Sequence, residues 1–143
     1  MYDKLDYNIE SYEYDDLETN IAWDNLICDL TSEILNKFID ADWDKLYEEI
    51  PKKSIIWKKR FNDCIPETSK DENRIKALLL LLNTDDPELF SDALSKLDGY
   101  DFSDYENSVQ LYEKAERMLP KLENEYYKYV IKNFLEKKNS RTR

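Results

Sequence analysis

Apolar residues return along most of this chain every three or four positions, the period of a helix that buries one face. From Asp16 onward, Leu17, Ile21, Ile27, Leu30, Ile34 and Phe38 mark a long first helix reaching about Ile39. Asp40 or Asp42 can cap a second, whose stripe is Trp43, Leu46, Tyr47 and Ile50 and which Pro51 closes. Ser54 suits the cap of a third, with Ile55, Ile56, Trp57, Phe61, Cys64 and Ile65, stopped by Pro66. A fourth covers 70–83, and its alanine and five leucines at 77–82 are apolar nearly all round, which predicts a central place. Asp86 and Pro87 read as N-cap and first residue of a fifth helix, through Leu89, Phe90, Ala93, Leu94 and Leu97 to Gly99. Ser103 or Asp104 starts a sixth, with Val109, Leu111, Tyr112, Ala115, Met118 and Leu119. A seventh follows Pro120, with Leu122, Tyr126, Tyr129, Val130, Phe134 and Leu135.

Connections of two to six residues make these seven helices an all-α, antiparallel helical array. The pairs 54–65/70–83 and 86–98/104–119 are similar in size, as in stacked hairpins of HEAT-like character. Residues 1–15 show no sustained period and read as an irregular arm, 16–138 as a single domain, and 139–143 as a frayed basic tail. One glycine in 143 residues supports the helical reading, because sandwiches and tight hairpins depend on glycine turns.

Charge changes the picture. Residues 1–50 hold fifteen acidic side chains against Lys4, Lys37 and Lys45, while the rest of the chain is close to neutral. The net charge of −11 would repel nucleic-acid phosphate and acidic membrane surfaces, so neither is expected as a partner. Met1 leads directly into Tyr2, Asp3 and Asp6 without the apolar stretch of a signal peptide, which points to the cytoplasm. The longest apolar run, 77–82, falls far short of the roughly 20 residues that span a bilayer. Cys28 and Cys64 fall on apolar sides of their helices and read as small buried hydrophobes, with no disulfide expected in the cytosol.

Histidine is absent, which removes Ser–His and Cys–His nucleophiles and the commonest zinc ligand. Asp40-x-Asp42-x-Asp44 opens like a calcium loop, but Lys45 stands where the turn needs glycine and Pro51 where it needs a bidentate glutamate. Adjacent carboxylates such as Asp15/Asp16 and Asp85/Asp86 show no contrast of environment that would set up acid–base work. A lone Gly99 cannot build a phosphate loop. Lys52, Lys53, Lys58, Lys59 and Arg60 form one basic cluster, read as an exposed helix face that offsets nearby acids. The expectation is therefore a non-enzymatic protein with no cofactor and no bound metal.

What remains is the acidic, tyrosine-rich N-terminal third. Tyrosine offers contact area at small entropic cost, and carboxylates pair with lysine and arginine across an interface. The expected partner-binding residues are Tyr12, Glu13, Tyr14, Asp15, Asp16, Asp42, Asp44 and Glu48. The stretch Asp42-Trp43-x-x-Leu46-x-x-x-Ile50 followed by Trp57-Lys58-x-Arg60-Phe61 resembles the small helical immunity proteins of bacterial toxin systems, including contact-dependent growth inhibition. The segment from Lys76-Ala77-Leu78 through Asp86-Pro87-Glu88-Leu89 to Ala93-Leu94-x-x-Leu97 is similar to one HEAT-type hairpin. The first resemblance implies a cognate basic toxin domain, often a nuclease, held as a 1:1 complex with a monomer and covered at its active or substrate-binding surface. The alternative class is a helical adaptor that takes a peptide in a groove between hairpins.

Overall fold

The computed structural model describes residues 1–10, 28–66, 71–98 and 108–141. Within them the chain is all-helical. The helices are α1 (Tyr2–Glu10), α2 (Cys28–Asn36), α3 (Asp40–Glu49), α4 (Ile55–Cys64), α5 (Glu72–Leu81), α6 (Pro87–Leu97), α7 (Ser108–Met118) and α8 (Glu125–Arg141). Short 3-10 turns at Ile50–Lys52 and Leu119–Lys121 carry the two prolines that end α3 and α7. The expected start of the first helix at Asp16, and Gly99, Ser103 and Asp104 as helix boundaries, lie outside the described residues.

Helix α4 is the hub, packing against α1, α2, α5 and α6; α6 also packs on α5 and α8, and α7 leans on α8. The expected hairpin of 86–98 with 104–119 is thereby corrected: the main neighbours of α6 are α5 and α8. The reason lies in the apolar stripes. Leu94 and Leu97 of α6 join one core with Val130, Ile131 and Phe134 of α8, and a ring of α7, Tyr112, stacks on Phe134 at 4.8 Å. The five-leucine helix is central as its pattern requires, with Ala77, Leu78, Leu81 and Leu82 all buried.

Local starts follow their capping chemistry. Ser54 accepts the Trp57 N–H at 3.1 Å, and Asp86 accepts the Leu89 N–H at 2.9 Å with Pro87 in the first helical position. Asp71 caps α5 through the Arg74 N–H. The start of α3 differs from expectation: its N-cap is Ile39, and Asp42, three residues on, reaches back to the Ile39 N–H at 3.1 Å. This is the reciprocal half of a capping box, which a carboxylate supplies from the third helical position.

The largest departure concerns the N-terminus. Tyr2–Glu10 are not an irregular arm but a helix with Tyr2, Leu5 and Ile9 buried. Those positions at i, i+3 and i+7 are a helical stripe only two turns long, too short to stand out among tyrosines and carboxylates. Packing supplies what propensity lacks: Asp6 accepts the indole N–H of Trp57 at 2.8 Å and the Lys53 ammonium at 2.9 Å. The guanidinium of Arg60, only 1% exposed, donates to the Ile9 carbonyl at 3.0 Å. At the other end α8 continues to Arg141, into the stretch expected to fray, because Glu136 and Lys137 are good helix formers with no glycine or proline beyond them to stop it.

Removing the Arg60 side chain strips the Ile9 carbonyl of its donor and opens a void at the hub. Arg60→Ala lowers the unfolding free energy by about 2–4 kcal/mol in urea titration, whereas Lys52→Ala at an exposed position changes it by about 0.5 kcal/mol at most.

Candidate functional site

The acidic side chains of the first three helices face outward. Asp3 and Glu10 on α1, Asp29 and Glu33 on α2, and Asp40, Asp44 and Glu48 on α3 are all exposed. Helix α1 touches both α2 and α3, so these acids sit on three neighbouring elements. Apolar stripes turned inward leave the intervening polar positions on the surface, which is the ordinary result of amphipathic packing; here those positions are mostly carboxylates.

Of the expected partner-binding residues, Tyr12, Glu13, Tyr14, Asp15 and Asp16 lie outside the described residues. Asp44 is exposed and, among the described residues, joins no hydrogen bond or ion pair. Glu48 is exposed and sits 3.8 Å from the equally exposed Lys52, a surface pair of little strength. Asp42 is different: it serves the fold, accepting the Ile39 N–H and lying 3.5 Å from the Met1 ammonium. The Ile39 hydrogen bond, against slight desolvation and helped by that ammonium, holds its carboxyl below the usual range. Asp42 is therefore an anchor of α3 rather than a free contact. Asp3, Glu10, Asp29, Glu33 and Asp40 belong to the surface beside Asp44 and were missed; Asp29, Glu33 and Asp40 flank apolar stripes legible in the sequence, whereas Asp3 and Glu10 flank the short stripe of α1, which is not.

Several basic residues of the body are spent inside it, whereas Lys76, Arg117, Lys121 and Lys132 are exposed. The cluster expected as an exposed face is corrected: Lys58 and Arg60 are buried, Lys53 and Lys59 half-buried, and Lys52 alone of the five is exposed. Their placement follows from α4 being the hub, with neighbours on nearly every side. Lys59 does offset acids, pairing with Glu88 at 2.8 Å and Asp86 at 3.6 Å. Burial lowers the pKa of Lys53, but its bond to Asp6 and the adjoining Tyr2 bring the net shift upward. Lys96 of α6 donates to the Asn62 and Ile65 carbonyls at the end of α4. Lys114 of α7 donates to the Leu82 carbonyl at 3.1 Å just past α5, with the Phe90 ring 5.6 Å below it, and burial lowers its pKa.

One carboxylate is shifted upward. Asp92 on α6 is half-buried; desolvation raises its pKa, and Glu88 one turn earlier raises it further. Tyr127 of α8 is pushed up by burial and by the same two acids. A shallow groove of about 160 Å3 between α6 and α8 is lined by Leu94, Asp98, Tyr126, Tyr129, Val130 and Phe134 among others, and Asp92 does not line it. Small-molecule sites run to roughly 300–1,000 Å3, so this groove seats little more than one side chain. Among the described residues no group of three or more His, Cys, Asp or Glu is arranged to hold a metal ion, and no helix is long and apolar enough to cross a membrane. The cysteines are free thiols, and only Cys64 is the fully buried hydrophobe expected; Cys28 is half-buried and donates to the Asp63 carbonyl at 3.1 Å.

No protein-family model, curated protein or solved structure matches the chain.

Two of the shifted carboxylates, Asp42 and Asp92, give opposite pH behaviour. Asp42, depressed in the fold, stabilises it above about pH 4 and ceases to do so as pH falls through its lowered value. Thermal melts of Asp42→Asn therefore lie below wild type at neutral pH and converge with it in acid. Asp92, raised in the fold, costs stability once ionised. Asp92→Asn melts higher than wild type at pH 7, and the gap closes by about pH 4, where the unfolded chain also takes up the proton.

Proposed function

We propose that this chain is a non-enzymatic antagonist of the immunity-protein kind, which binds a cognate basic toxin domain in the cytoplasm and covers its active or substrate-binding surface. The observation that carries this reading is the placement of charge: exposed carboxylates gather on α1, α2 and α3, while Lys53, Lys59, Arg60, Lys96 and Lys114 of the body are directed onto carbonyls and carboxylates of the fold. A toxin that acts on nucleic acid presents lysine and arginine to phosphate, and a surface of carboxylates competes for the same cations. Asp44, Glu48, Asp40 and Asp3 supply that charge, with Tyr12, Glu13, Tyr14, Asp15 and Asp16 as the remaining part of the proposed face. Opposite fields raise the association rate, and pairs that become desolvated in the complex slow its dissociation.

The adaptor reading has one observation in its favour. Tyr126 and Tyr129 are exposed at the rim of the α6–α8 groove, where an inserted apolar side chain would lie against Leu94 and Phe134. The size of the groove favours the acidic face.

Association kinetics with the partner recovered from the native host separate the two. Lysine substitutions at Asp15, Asp16, Asp44 and Glu48 slow association at least about tenfold at low salt and flatten its salt dependence. Association that ignores both salt and these substitutions, and is lost in Tyr126→Ala/Tyr129→Ala, sinks the antagonist reading in favour of the groove.

A further inference from the structure

Two cysteines 36 positions apart in sequence meet where α2 packs on α4. The Cys28 thiol donates to the carbonyl of Asp63, the residue just before Cys64, at 3.1 Å, and the Cys64 thiol donates to the Arg60 carbonyl one turn back in α4 at 3.2 Å. The two sulfurs lie near enough to shift each other's pKa. Ser32, one turn after Cys28, donates its hydroxyl to the Cys64 carbonyl at 2.6 Å, so the two backbones are fastened beside the thiols. Cys64 is completely buried, whereas Cys28 is half-buried and reachable. The Lys96 ammonium, fixed on the Asn62 and Ile65 carbonyls, flanks the pair and brings a positive charge to it.

We propose that Cys28 and Cys64 are a redox-active dithiol, which a hydroperoxide converts to a disulfide that clips α2 to α4. The roles divide by accessibility. Cys28 is the attacking sulfur and Cys64 the resolving one. The neighbouring Cys64 thiol, opposed by desolvation and by Asp63 and assisted by Lys96, holds the Cys28 thiol below its usual range, while burial pushes Cys64 well above it. A thiolate is the nucleophile in such chemistry, so the accessible sulfur is also the reactive one.

In the first step the Cys28 thiolate attacks one peroxide oxygen; the S–O bond forms, the O–O bond breaks, and the departing hydroxide takes a proton to leave as water. Cys28 is then a sulfenic acid. In the second step the Cys64 sulfur attacks the Cys28 sulfur and loses its proton; the S–S bond forms, the S–O bond breaks, and a second water leaves. Two thiols and one peroxide become one disulfide and two waters, with the two electrons passing from sulfur to oxygen. A small thiol reverses the change by exchange.

The full chain treated with hydrogen peroxide tests this. The expected result is loss of both free thiols, an intact mass lower by two hydrogen atoms, and a Cys28–Cys64 cross-linked peptide on digestion. Cys64→Ser stops at a Cys28 sulfenic acid that dimedone traps, and in Cys28→Ser the buried Cys64 stays reduced. On the unsubstituted protein, iodoacetamide alkylates Cys28 with a pH midpoint below that of a simple thiol, and Lys96→Met moves that midpoint upward. Thiols that survive peroxide, cross-links formed only between chains, or a Cys28 that alkylates like a simple thiol would each overturn the proposal.

Discussion

Helix C-termini are the exposed weak points of this fold, and cationic side chains from neighbouring helices close them. The last carbonyls of any helix lack intrahelical donors, and the usual remedy is a glycine turned left-handed just beyond the end. This chain has a single glycine. Lys96 instead serves the carbonyls ending α4, Lys114 serves Leu82 after α5, and Arg60 serves Ile9 in the last described turn of α1. Arg74 donates to the side chain of Asn36, the final residue of α2, at 2.6 Å. A positive charge at a helix C-terminus also opposes the macrodipole, so each contact is favourable twice over. Every such contact joins one helix to another, and tertiary structure is thereby built into the ending of each element.

The same constraint sorts charge across the molecule. Lysines and arginines that must reach carbonyls are drawn toward the interior, as Lys114 is, its ammonium lying over the Phe90 ring. The carboxylates of α1, α2 and α3 have no such duty, Asp6, Asp42 and the Lys45-paired Glu49 excepted, and remain in solvent. Near-neutral composition in the body and acidity at its front thus become, in three dimensions, a lattice of inward-reaching cations behind an anionic face on α1, α2 and α3. The anionic face follows from how the helices end as much as from where the acids lie in sequence.

What the sequence disclosed follows the range of the interactions involved. Local signals were legible: Ser54 and Asp86 as caps, Pro87 at a first helical position, the leucine run as a buried helix, the all-helical class. Signals carried by one short stripe failed, as in Tyr2, Leu5 and Ile9, because two turns of helix form only when Trp57, Lys53 and Arg60 are there to receive them. The basic cluster at 52–60 misled for the same reason: nothing in its spacing says that α4 has neighbours on nearly every side. At the candidate face, exposure of Asp44 and Glu48 could be read from period alone, whereas the diversion of Asp42 to the Ile39 N–H depended on which residue took the N-cap. Contact between Cys28 and Cys64 is a property of the packing and leaves no trace in their separation.

Closing one helix with a side chain from the next has a consequence for how the molecule comes apart. If α6 loosens, Lys96 leaves the end of α4 uncovered, and if α7 loosens, Lys114 abandons the end of α5. Fraying of these ends cannot stay local, because each is closed by a side chain of another helix. Hydrogen exchange there is expected through openings that involve both helices rather than by gradual peeling.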